Sequence, residues 1–217
     1  MFPKPFFFII TASAVVSLFY FKKFKGTKYV WFLYFIYFTF IIDKINYLNS
    51  IYHFININGV HNNKPILNLY IVISFYFFFL FYKSVFHLYA NKKIMDIFIL
   101  LFSIFLLVAI FYFKTNLITQ FLTKTTVFGS VLLLITIILF ATEFIQNNEI
   151  VHNIEHSFVF WITLGCFLFY VGIIPALIYS KFHLSNRIFN TILVILNVFT
   201  HTSFILGFML YDRKYNY

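Results

Sequence analysis

The sequence predicts an all-α fold: a polytopic membrane protein built as a single bundle of seven transmembrane helices, with the N-terminus outside and the C-terminus cytoplasmic. Three observations predict it. Of 217 residues, 62% are hydrophobic and only 10% are charged. A soluble domain carries about 25% charged residues, so lipid is the fitting solvent for this chain. Apolar runs of about 20 residues, enough to cross roughly 30 Å of hydrocarbon, recur seven times along the sequence. The basic residues gather at the ends of those runs, where they act as topology signals and headgroup contacts. The formal charge of +10 is therefore read as affinity for membrane lipid, and no nucleic-acid partner is expected.

The first run covers residues 5–21, after Lys4. Ala12-Ser13-Ala14 has the form of a signal-peptide cleavage site, but hydrophobicity continues to Tyr20, so an uncleaved span is expected. Lys22, Lys23, Lys25 and Lys28 follow, with Gly26 as the turn. The second span, 29–46, is rich in aromatics, and Asp43 with Lys44 reads as an interfacial pair at its far end. Residues 47–65 form a longer, asparagine-rich loop. Its Tyr47, Tyr52 and Phe54 suggest a short interfacial helix on the membrane surface.

The third span, 66–86, ends near Lys83 and His87. The fourth, 94–113, carries Asp96 in its first turn, where the helix dipole favours an acid. The fifth, 125–145, places Glu143 in its last turn. A polar loop, 146–157, then holds Glu149, His152, Glu155 and His156. The sixth span is 158–180 and the seventh 188–210, followed by Asp212-Arg213-Lys214. All seven belong to one domain, 1–217. An odd number of crossings puts the termini on opposite sides. With the N-terminus outside, nine of the sixteen Lys and Arg residues fall inside. The four-lysine first loop weighs most, because early spans tend to set orientation. The chain is therefore expected to be a multi-pass membrane protein.

Polar groups in hydrocarbon are costly unless they find partners, so the candidate site residues are few. Asn190, Asn197 and His201 lie seven and four residues apart in the seventh span, which places them on one helix face. Glu143 lies at a nearby depth and can join them in a polar network. That network reads as interhelical contact, as a small-ligand or signal-sensing pocket, or as an ion path. In the sixth span, Gly165, Gly172 and Ala176 share a face, and small residues there permit close helix packing. Pro175 removes one backbone N–H and is expected to bend that span.

Several chemistries find little support. Cys166 is the single cysteine, so neither an internal disulfide nor a cysteine-based zinc cluster is available. His152 and His156 are four apart, but the glutamate between them is not at the HExxH position and no third ligand is evident beyond nearby Glu149. No metal site is expected there. A lysine for a retinal Schiff base is missing from 188–210, and only His201 is deep enough for haem. No cofactor is expected. No dinucleotide, Walker, zincin or EF-hand pattern occurs.

Several short stretches carry a family resemblance. They are Asn62-Asn63 followed by Leu69-Tyr70, Phe81-Tyr82-Lys83, Glu143-Phe144, and Phe160-Trp161-Ile162 with Gly165, Phe169-Tyr170 and Gly172. Through them the chain resembles a poorly characterised group of small integral membrane proteins of Bacteroidetes-type bacteria, often encoded beside sensor histidine kinases. Members tend to carry a histidine after the Leu-Tyr and a glutamate about a turn later. Here Ile71 and the residues near Phe75 and Tyr76 stand in those places. The resemblance implies seven helices, the inner (cytoplasmic) membrane of a bacterium and a link to signalling, with a sensor kinase as a candidate partner. The expected function is a non-enzymatic membrane sensor or an accessory, regulatory subunit of a membrane complex. The alternative is a small transporter or channel component with a polar path along the seventh helix.

Overall fold

The computed structural model describes residues 4–57, 60–113, 116–146, 154–180 and 186–211. They form seven long helices: α1 (Lys4–Phe24), α2 (Val30–Tyr52), α3 (Lys64–Val85), α4 (Tyr89–Phe111), α5 (Thr123–Ile145), α6 (Phe158–Ser180) and α7 (Asn186–Leu210). Six are long and apolar enough to cross a membrane. The exception is α2, whose Trp31, four tyrosines, Asp43, Lys44 and Asn46 dilute its aliphatic content. In lipid, a helix satisfies its own backbone groups, so this composition yields helices almost throughout. The described strands are β1 (Asn56–Ile57) and β2 (Val60–His61), an antiparallel pair in which Asn56 faces His61 and Ile57 faces Val60.

Three boundaries differ from expectation. The second helix continues to Tyr52 instead of stopping near residue 46. Asn46, the expected last residue of the span, and Asn49, expected in the loop, are both buried on it. The helix closes on His53, in the left-handed region at φ 52, with its N–H bonded to the Asn49 carbonyl. The expected interfacial helix is replaced by the small β1–β2 hairpin. The fourth helix begins at Tyr89, five residues early, so Asp96 sits two turns in and pairs with Lys83 of α3 instead of capping the helix.

Each helix packs on the one before it, α3 also touches α5, and α7 returns to α1, so the bundle closes on itself as a ring. The α6–α7 pairing is the most extensive. One end of the ring gathers the turn 25–29, the link 86–88, the short 3-10 turn Ile154–His156 and Tyr211. Lys23 donates to the Tyr211 carbonyl there, and His156 Nδ1 meets the Leu210 carbonyl at 3.2 Å. We call this end the basic face. At the other end, Asn62 donates to the Ile118 carbonyl and Asn68 to the carbonyls of Leu117 and Gln120. These bonds tie the end of the hairpin segment and the start of α3 to the link before α5.

The core between the helices is largely aromatic. Phe24 stacks on Tyr211 at 4.4 Å and packs against Phe158 and Phe208 near the basic face. Phe35 stacks on Phe77 at 4.3 Å across α2 and α3. Offset and edge-on ring pairs of this kind add to burial alone. Gly26, at φ +82, supplies the left-handed turn that a side-chain-bearing residue would resist, and so lets α1 and α2 join through a short link.

Candidate functional site

Glu143 approaches the start of α4 from the last turn of α5. A helix N-terminus leaves its first amides without partners and carries partial positive charge. The Glu143 carboxylate meets both needs. His87 N–H donates to Oε1 at 2.5 Å, Leu88 N–H to the same oxygen at 3.3 Å, and Asn91 Nδ2 to Oε2 at 2.6 Å. Glu143 is only 7% exposed. Basic groups surround it. Burial lowers the Lys28 ammonium from the usual lysine value; the Lys92 charge lowers it further, while Glu143 opposes. Burial also lowers the His87 imidazole, as do Lys28 and Lys92, against the pull of Glu143.

His201 lies elsewhere. Its Nδ1 is 2.8 Å from the Ser13 hydroxyl, joining the last helix to the first. Its ring also meets Phe204 edge-on. His201 makes no hydrogen bond to Glu143 or Asn197 among the described residues. Asn197 donates to the Leu193 carbonyl of its own helix at 2.7 Å and is half-buried, while Asn190 is exposed. One helix face thus divides into three environments, and the structure does not bring Asn190, Asn197, His201 and Glu143 into one network.

Serine beside histidine is also the composition of a nucleophile and its base. The geometry argues otherwise. The Ser13 hydroxyl donates to the Ile10 carbonyl at 2.8 Å, leaving its lone pairs to the imidazole. Ser13 is fully buried and His201 is 4% exposed, so no substrate carbonyl could reach the hydroxyl. The pair works as a clasp between helices.

On α6, a Cβ on Gly165 would lie 3.1 Å from the Thr200 carbonyl oxygen and from Ser203 Cβ of α7. One on Gly172 would lie 2.5 Å from Leu196 Cδ2. Both glycines therefore sit in the α6–α7 contact, where Thr200 also donates to the Gly165 carbonyl at 3.2 Å. Ala176 is buried nearby. Gly172, Pro175, Ala176, Tyr179 and Ile192 line an outward-opening, largely apolar cleft of about 280 Å³. Its lining suits an acyl chain better than a polar solute.

The loop candidates contribute little. His156 Nε2 is 3.8 Å from Glu155 Oε1, and both side chains are exposed. Glu149 and His152 lie outside the described residues. Among the described residues, no group of three or more His, Cys, Asp or Glu side chains could hold a metal ion. Cys166 is buried and free.

Sequence reasoning missed Asn91 and Ser13. Asn91 adjoins Lys92-Lys93 and reads as a loop residue. Ser13 reads as part of a cleavage motif. The useful signal was spacing: Asn91 lies one turn beyond His87, as a residue helping a carboxylate hold a helix start would.

No family model, curated protein or solved structure matches this chain.

Proposed function

We propose that the chain is a multi-pass protein of a bacterial inner membrane that crosses the bilayer seven times, N-terminus outside, and serves as a non-enzymatic sensor or regulatory accessory subunit. The observation that carries this reading is the use made of the two most buried of its polar candidates. Glu143 holds the start of α4, and His201 holds α1 to α7. Groups committed to joining helices cannot perform chemistry, but their joints can shift when a ligand or partner alters helix positions. The second helix crosses with the others because its neighbours α1 and α3 are both apolar spans packed against it. The basic face, with Lys22, Lys23, Lys25 and Lys28, suits the cytoplasmic side, where a sensor kinase or other membrane partner could read it.

Reporter fusions test the topology. Fusions at the links 25–29 and 86–88 should read cytoplasmic, and one at 116–120 external. Any pair of links from one face reporting opposite sides rejects seven crossings. For the sensor reading, alanine at His201 should change partner cross-linking in native membranes at matched expression. A wild-type pattern would remove it.

A further inference from the structure

We propose that the end of the α6–α7 pair opposite the basic face binds one anionic phospholipid, with an acyl chain in the cleft between the two helices and the phosphate against Arg187 and Asn190. The cleft opens outward and is lined by Gly172, Pro175, Ala176, Tyr179 and Ile192. Both helices that form it are apolar spans, so hydrocarbon is the medium at its mouth. Tyr179 is one residue from the end of α6 and Gly172 is eight. At 1.5 Å per residue the cleft runs from about 2 Å to about 12 Å below that end. One leaflet of acyl chains is about 15 Å deep. An apolar void left unfilled forfeits dispersion contacts along its lining, and a lipid chain restores them.

The headgroup position follows from the helix register. A Cβ on Gly172 would meet the Leu196 side chain. Because α6 and α7 run antiparallel, that contact sets Ala176 level with Ile192, across the cleft, and Tyr179 level with Phe189. Arg187 and Asn190 therefore stand within about 3 Å of the Tyr179 level along the axis. They are spaced i, i+3 and share a face of α7. Both are exposed, and neither side chain makes a hydrogen bond or ion pair among the described residues. A guanidinium and an amide both donate to phosphate oxygens. Tyr179, 62% exposed, adds a ring at headgroup level.

Charge decides which lipid. From Ser157 to Tyr211 the sequence has no acidic residue, so no carboxylate in this hairpin offsets Arg187. That favours an anionic headgroup over a zwitterionic one. It also argues against a second copy of the chain seated here. A two-fold contact through this end would set Arg187 against Arg187.

The test uses the full chain, purified in detergent and stripped of co-purified lipid. Native mass spectrometry follows binding as dioleoyl phosphatidylglycerol or dioleoyl phosphatidylcholine is added. Wild type should retain one phosphatidylglycerol under conditions that strip phosphatidylcholine. Ile192→Phe, which fills the cleft from α7, should lose the retained lipid. Arg187→Gln should weaken phosphatidylglycerol about fivefold, the worth of one basic residue at an anionic surface. The double variant Lys22→Gln, Lys25→Gln, on the basic face, should bind as wild type does. Equal retention of the two lipids overturns the proposal, as does wild-type retention by Ile192→Phe. A preference that follows the basic-face lysines instead of Arg187 overturns it too. If Ile192→Phe fails to fold, Arg187→Gln decides: unchanged phosphatidylglycerol affinity overturns the site, and the fivefold loss upholds it.

Discussion

Replacing Glu143 by alanine should be among the most damaging single changes in this chain. The carboxylate receives His87 N–H, Leu88 N–H and Asn91 Nδ2, and it is 7% exposed. Hydrogen bonds to a charged group contribute about 1.5–3 kcal/mol each, and stranded buried donors cost about 1–3 kcal/mol. The Leu88 contact is long, so two bonds carry most of the effect. The expected loss is about 3–4 kcal/mol for alanine, in line with breaking other buried charged contacts. Glu143→Gln keeps an acceptor oxygen in place but gives up the charge. It should cost about 1–2 kcal/mol. The assay is reversible unfolding in mixed micelles, with α4 order followed by amide exchange at Asn91 and its neighbours. Alanine and glutamine variants both within about 0.5 kcal/mol of wild type would refute the reasoning. The amides of the 86–88 link would then be served by water, and the carboxylate would be a bystander.

Three further outcomes follow from the geometry. Ser13→Ala should cost about 1 kcal/mol, and a double-mutant cycle with His201→Ala should return a coupling of about 0.6–1.7 kcal/mol; a zero coupling in the same unfolding assay would dissolve the clasp. Gly165→Ala should destabilise by about 1–3 kcal/mol, because its new methyl meets the Thr200 backbone oxygen, while Gly172→Ala should cost less, because the Leu196 end it meets can rotate; equal melting temperatures would contradict this order. Burial, Lys28 and Lys92 lower the His87 pKa against the pull of Glu143, so its contribution is present above the unfolded histidine value and is lost as pH falls through that value toward the lower folded one. Unfolding midpoints should therefore drop from about pH 8 to about pH 5.5, with a smaller drop in His87→Gln; an identical profile in that variant would assign the loss to other groups.

Helix number was plain in the sequence, because apolar length is a local property and lipid leaves few alternatives to a helix. Helix ends were not. Asn49 looks like an exposed loop residue, yet it accepts the Ile55 N–H and donates to the Asn62 carbonyl and Asn63. Its polarity is used by the chain segment that follows, which no periodicity reveals. The same holds for Asn68, which accepts the Leu122 N–H fifty-four residues away. The candidate site was legible as a set of residue types and depths. It was not legible as contacts. Ser13 and His201 are 188 residues apart, and Glu143 is held partly by the backbone amides of His87 and Leu88, which side-chain patterns cannot flag. The spacing of Gly165 and Gly172 was more informative, because it records a demand for room on one face, and their missing methyl groups lie against α7.

The return of α7 to α1 bears on how the molecule is made. Because α1 precedes α7 in the chain, it must wait for α7 before Ser13 meets its imidazole and Phe24 finds Tyr211. Until then the nascent bundle is an open crescent, with an unfilled seam along α1. A polypeptide cut short before residue 186 would keep that seam permanently, exposing it to quality-control proteases or to the matching edge of another unfinished copy.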